Sequence, residues 1–209
     1  MFTKAKIINH FRYSFWMYLL VVVLSVAFWN ILYTATAYQP PADKKLEIII
    51  AENSQADQDA LQSIVQNIHQ EKFSHLEEVS VHNLLSSVDQ AYYTDIQLQT
   101  YIMANQGDIY ILGKERFRSF GALGAFVDLT PYIENGIIQI SPEDSNRAKL
   151  IIKTEDETDT VSIAGISLRN AKGLAKLGIN TRDSYIAVVY NSGNLQNAVD
   201  FINALIHIE

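Results

Sequence analysis

Residues 15–33, FWMYLLVVVLSVAFWNILY, carry no charged side chain. A segment of that kind near an amino terminus restricts a chain to two fates, a helix across a bilayer or an export signal. As a helix it is about 28 Å long at 1.5 Å per residue, close to the ~30 Å hydrocarbon core. Trp16 and Tyr18 stand at one boundary and Trp29, Tyr33 and Tyr38 at the other, where amphipathic rings favour the headgroup level. Lys4, Lys6 and Arg12 precede the segment, and no further Lys or Arg occurs before Lys44. The positive-inside rule then places the amino terminus in the cytoplasm and the rest outside. A signal peptide competes, because Ala35-Thr36-Ala37 fits a small-x-small cleavage site. The apolar run exceeds the usual 7–15 residues of a signal core and is flanked by aromatic rings, which favours a retained anchor. The expected organisation is a cytoplasmic terminus (1–14), a transmembrane anchor (15–38), a proline-bearing linker (39–45) and an extracytoplasmic domain (46–209), on a single-pass cell-membrane protein.

Charge is divided in the same way. Residues 1–38 carry +3, which leaves −10 for the remainder of a chain of net charge −7. So acidic a domain excludes nucleic acid as a partner, since phosphate must be met by Lys and Arg. With no cysteine in the chain, disulfides, thiolate chemistry and Cys-based zinc sites are excluded. His69, His75 and His82 are spaced six and seven apart, which stacks no metal-binding pair on one helical face. There is no Gly-x-Ser-x-Gly and no P-loop. The chain is therefore expected to be neither an enzyme nor a holder of a cofactor or metal.

Beyond Pro40 and Pro41 the pattern alternates. LEIII (46–50) is a continuous apolar, β-branched run, as in a strand buried on both faces. Ser54 and Asp57 form an S-x-x-D start signal, and Leu61, Ile64, Val65 and Ile68 recur with helical spacing. Further strands are expected at 77–84, 108–112 and 185–190. Helices are expected at 94–105, closed by Gly107, at 114–120, at 170–178, stopped by Gly178, and after Asn194. Thr130 with Pro131 marks another helix start. KLIIKT and DTVSIAGISL flank the acidic turn Glu155-Asp156-Glu157, an antiparallel hairpin whose turn lacks the ligand spacing of a calcium loop. This alternation predicts an α/β fold with a single, mainly parallel sheet and helices on both faces.

The order of these segments, TYIMANQGDIYIL followed by GALGAFVDLTPYI above all, resembles the first lobe of extracellular solute-binding proteins, the type II periplasmic-binding fold that feeds ABC importers. Gly107, Asp108 and Asp128-Leu129-Thr130 occupy the matching positions, and YIAVVYNSGNLQNAVDFINALI (185–206) is similar to the family's return segment. The likeness covers most of 46–206. It implies a binding module, with a transporter or sensor in the membrane as partner. The chain departs from the family where a second lobe belongs, because only a short helix separates Leu168 from Tyr185. Both tryptophans lie in the anchor, so only tyrosine or phenylalanine is left to stack on a ligand. Ligands of such sheets bind at the carboxyl ends of the strands. That selects Glu52 and Asn53 after the first strand and Gly113 and Lys114 after the third, with Tyr92 and Tyr93 as stacking platforms.

Overall fold

The computed structural model describes residues 4–38, 40–52, 56–84, 91–153 and 159–208. Asn53, Ser54 and the acidic turn at 155–157 lie outside them. The chain divides into two compact units, residues 1–39 and 40–209. The first is one helix, α1 (Lys4–Thr36), in which Ser14–Thr36 is long and apolar enough to cross a membrane. The hydroxyls of Thr34 and Thr36 donate to the carbonyls of Asn30 and Leu32, at 2.9 and 2.7 Å. These hydroxyls are thus satisfied within the helix.

The second unit is an α/β domain. Strands β1 (Lys45–Ala51), β2 (Glu78–Asn83) and β3 (Ile109–Gly113) run parallel, with β1 in the middle. Two strands close to the chain's end, β6 (Ile166–Ser167) and β7 (Ser184–Val188), complete a five-stranded sheet of order β2-β1-β3-β7-β6. β7 is antiparallel to both β3 and β6. The sheet is therefore mixed rather than mainly parallel. The connection from β6 to β7 contains the short helix α7 (Lys172–Lys176) and folds back on itself, with the Leu168 amide donating to the Ser184 carbonyl at 3.0 Å. The chain therefore stays at the end of the sheet where β6 left, and β7 returns antiparallel beside it.

Helices cover both faces. Leu46, Ile48 and Ile50 of β1 pack with Leu61 and Val65 of α2 (Gln58–Lys72) and with Phe201, Ile202 and Leu205 of α8 (Leu195–Ile206). Ile49 and Ala51 point the other way, towards Leu98 and Ile102 of α3 (Ala91–Met103) and Phe117 of α4 (Lys114–Ala122). Two further short helices are α5 (Thr130–Glu134) and α6 (Pro142–Arg147). The hairpin is present as a separate two-stranded sheet, β4 (Lys149–Lys153) with β5 (Asp159–Ile163).

Several terminal residues play roles other than those the sequence suggests. α3 ends at Met103, and Asn105 (φ 57°) takes the left-handed closing position. The amides of Asn105 and Gln106 donate back to the carbonyls of Ile102 and Tyr101, the Schellman pattern. Gly107 instead begins the approach to β3. Its φ is +80°, and a Cβ there would stand 2.6 Å from Ile49 Cγ1. Gly178 (φ 82°) does close α7, with the amides of Gly178 and Ile179 donating to Ala175 and Leu174. At α5 the capping carboxylate is Asp128, which accepts from the amide and hydroxyl of Thr130 at 3.0 and 2.6 Å. Asn194 precedes α8 without capping it through its side chain. Its amide group donates to the Lys45 carbonyl at 2.9 Å, tying α8 to β1.

At the amino ends of β1 and β3 the Asp108 carboxylate accepts from the Glu47 amide at 3.0 Å and the Ser192 hydroxyl at 2.6 Å. Burial pushes this carboxyl above its ordinary range, against the pull of those two hydrogen bonds. A raised folded-state value means that its contribution to stability is complete below the unfolded value of about 3.9 and is lost as pH rises through the folded value. Relative to Asp108→Asn, which has no carboxyl to titrate there, the native chain is expected to lose unfolding free energy as pH rises above the unfolded value of about 3.9. Urea denaturation at a series of pH values measures this, and a difference independent of pH contradicts it.

Candidate functional site

A cleft of about 780 Å3 lies at the carboxyl edge of β1 and β3, within the size range of small-molecule sites. Glu52, Asp95, Gly113, Lys114, Glu115, Arg116, Ser119, Phe120, Asn180 and Asp183 line it. Three residues selected from the sequence, Glu52, Gly113 and Lys114, thus come together. Tyr92 and Tyr93 do not join them. They lie exposed on the first turn of α3, edge to face with centroids 6.0 Å apart, while Asp95 of the same helix reaches the cleft.

The floor is built from satisfied polar groups. Glu52 is 3% exposed, and its two carboxylate oxygens accept from the Asn180 amide at 3.0 Å and the Ser184 hydroxyl at 2.9 Å. Arg116 extends from the first turn of α4 beneath the end of β1. Its Nε donates to Asp95 at 2.6 Å and its guanidinium to the Ala51 carbonyl at 3.1 Å. Arg116 therefore joins α3, α4 and β1 through charge-assisted bonds, each worth more than a neutral one. Around this frame the solvent-facing groups are Lys114, Glu115, Ser119, Asn180 and Asp183. Four carboxylates and two cations line the cleft, so its balance is acidic although Lys114 and the amino end of α4 border it. Phe120 is the one aromatic ring among the described lining residues.

Arg116, Asn180 and Asp183 escaped the sequence reading for different reasons. Arg116 lies two residues past Lys114, and the helical start at Lys114 was a usable signal, because the first turn of such a helix borders the strand edge. Asn180 and Asp183 reach the site only because β7 is antiparallel, which brings its start to the carboxyl edge of its neighbours.

Among the described residues no group of three or more His, Cys, Asp or Glu side chains is arranged to hold a metal. The three spaced histidines have separate neighbours. His69 Nε2 is 2.9 Å from the Leu76 carbonyl, His75 Nε2 is 2.8 Å from Asn197 Oδ1, and His82 Nε2 is 3.3 Å from Ser80 Oγ.

No protein-family model matches the chain, and no curated protein does. Solved structures that overlay on parts of it include an ABC substrate-binding protein from Listeria monocytogenes in complex with cycloalternan. That overlay has 20% identity and a TM-score of 0.38, over 50% of this chain and 26% of the other. The PBP AttC of Agrobacterium tumefaciens, in an open unliganded conformation, overlays at 10% identity and a TM-score of 0.45, over 78% and 79% of the two chains. The galacto-N-biose-/lacto-N-biose I-binding protein of an ABC transporter from Bifidobacterium longum, in complex with lacto-N-biose, gives 11% identity and a TM-score of 0.39, over 54% and 27%. This chain spans about a quarter of the length of the two ligand-bound structures. At such scores the class of the domain rests on its own strand order and registers, an α/β domain with a mixed sheet and a cleft at the carboxyl edge.

Proposed function

We propose that this chain is a membrane-tethered, extracytoplasmic module resembling one lobe of a solute-binding protein, serving a transporter or another membrane protein as accessory or sensor. Lys4, Lys6 and Arg12 hold its amino terminus in the cytoplasm, and the acidic domain stands outside. The observation that carries the reading is the convergence of Glu52, Gly113 and Lys114 in one cleft at the carboxyl ends of β1 and β3, where an α/β sheet offers its loops to a ligand. Asn53, which follows Glu52, belongs to the proposed site by its place in the chain.

The test is thermal unfolding of the full chain in detergent with panels of sugars, peptides and anions. A compound present at about a hundredfold over its dissociation constant adds about 2.7 kcal/mol to the folded state. Lys114 is exposed and has no role in the frame of the cleft. Lys114→Ala is therefore expected to abolish the ligand-induced shift while leaving the unliganded transition in place.

A second reading, a ligand-free protein-interaction domain on the same anchor, has an observation in its favour. The best-buried polar groups of the cleft, Glu52 and Arg116, are already bonded within the protein. No shift with any compound, together with a membrane protein that co-purifies with the intact chain, decides for it. Protease added to intact cells checks the topology, since it must reach the chain beyond residue 39.

A further inference from the structure

Lys114 and Asp183 leave the sheet side by side. Gly113 of β3 is paired with Ser184 of β7. Lys114, which begins α4, and Asp183, which closes the 3-10 turn Thr181–Asp183, are each the next residue out from that pair. Both line the cleft, as does Glu115. All three are exposed, and none of them forms an ion pair among the described residues. The other ionic groups of the cleft are engaged, Glu52 with Asn180 and Ser184, and Asp95 with Arg116. We propose that the cleft takes a zwitterionic solute of amino-acid or short-peptide size, with its carboxylate on Lys114 and its ammonium group on Asp183 and Glu115.

Desolvation separates this class of ligand from the others. A sugar seated over the three charges strips water from each and returns only neutral hydrogen bonds. It also finds a single ring to stack on among the described lining residues, Phe120. A plain anion meets Lys114 but opposes two carboxylates, and a plain cation meets those two but opposes Lys114. Each sets like charges against one another, which is costly. A solute carrying both signs replaces the lost hydration at both ends with charge-assisted bonds, roughly twice as strong as neutral ones.

The uncharged groups suit the same solute. Ser119 and Asn180 also line the cleft, and a hydroxyl and a carboxamide can both donate to and accept from a peptide group. Phe120, half-buried, offers an apolar wall to a side chain. A volume of about 780 Å3 is ample for an amino acid or a short peptide. The amino end of α4 reinforces Lys114, since Gly113 caps it without a side chain and the first amides of a helix favour negative charge. The assignment rests on the cleft being a ligand site, and adds the chemical class that its ligand must have.

Thermal unfolding of the full chain in detergent tests this with amino acids and dipeptides whose side chains are uncharged. Each is offered free, N-acetylated and C-amidated, beside maltose and inorganic phosphate. The free form of at least one member is expected to raise the unfolding temperature. Each capped form should need at least about tenfold more compound for the same shift, the equivalent of one lost bond to a charged group. Lys114→Ala should weaken the free form and spare the amidated one, whereas Asp183→Asn should weaken the free form and spare the acetylated one. Each variant removes the group that the matching cap no longer meets. Capped forms that act as well as the free form overturn the proposal, and so does a shift that neither variant alters. Stabilisation by maltose or phosphate alone overturns it too, and leaves the cleft a ligand site of another class. Silence from every compound overturns the class and the reading of the cleft together.

Discussion

Replacing Glu52 by alanine is expected to lower the stability of the domain by about 3 kcal/mol, since it leaves the buried Ser184 hydroxyl and the backbone amide of Asn180 without their acceptor. The Asn180 amide and the Ser184 hydroxyl both end on this carboxylate, and Ser184 is itself buried. Each hydrogen bond to a charged group contributes roughly 1.5–3 kcal/mol, and an orphaned buried donor costs a comparable amount. The loss is greatest where no water reaches the vacated position. Glu52→Gln separates the two bonds. Its amide oxygen still accepts from the Asn180 amide, and its N–H can donate to the Ser184 hydroxyl oxygen, so less than half of the loss is expected. Urea denaturation followed by circular dichroism measures both variants. A Glu52→Ala chain as stable as the native one means that this carboxylate does not organise the edge, and that Asn180 and Asp183 are placed by other contacts.

The larger effect belongs to the core. Phe201→Ala is expected to cost about 4 kcal/mol, within the 3–5 kcal/mol typical of removing a buried phenyl ring. Phe201 is fully buried in α8 and lies against Phe73 with ring centroids 5.0 Å apart, tilted by 47°. Its neighbours in the same cluster are held by β1 on one side and α2 on the other, so they have little freedom to close over the vacancy. Phe201→Leu keeps most of the volume and is expected to recover the greater part of the stability. A loss below about 1.5 kcal/mol for Phe201→Ala indicates a core loose enough to collapse around the missing ring. Such a result discounts the arrangement of α8 on the sheet.

The elements of the domain were legible in the sequence where side chains declare their own surroundings. LEIII reads as a strand buried on both faces and is one, with Ile48 and Ile50 in one cluster and Ile49 in the other. The spacing of Leu61 and Val65 reads as one side of a helix, and both are buried beneath α2. Capping was legible only to within two or three residues, because Asn105, Asp128 and Asp57 each compete with a plausible neighbour. Asp57 proves to cap α2, accepting from the Ala60 amide. α6 passed unnoticed, since a turn-and-a-half of polar residues behind Pro142 has no apolar period to find.

Part of the site was readable for the same reason. Glu52, Gly113 and Lys114 follow their strands directly, so locating the strands locates them. Tyr92 and Tyr93 were chosen on chemistry, and their place depends on how α3 turns about its axis. Leu98 and Ile102 fix that rotation by turning inward, which leaves both tyrosines outside.

The apolar span, the acidic balance of the domain beyond it and the identity of most strands and helices were determined by the sequence alone. Each depends on residues within a few positions of one another, or on a sum over them. The direction of β7 and the company Glu52 keeps were decided by tertiary structure. Glu52 binds residues 128 and 132 positions away, and it meets them because β7 runs antiparallel to β3 and so begins at the edge where β1 and β3 end. Strand direction follows from whether a connection spans the sheet, and that is a property of assembled lengths rather than of any local pattern.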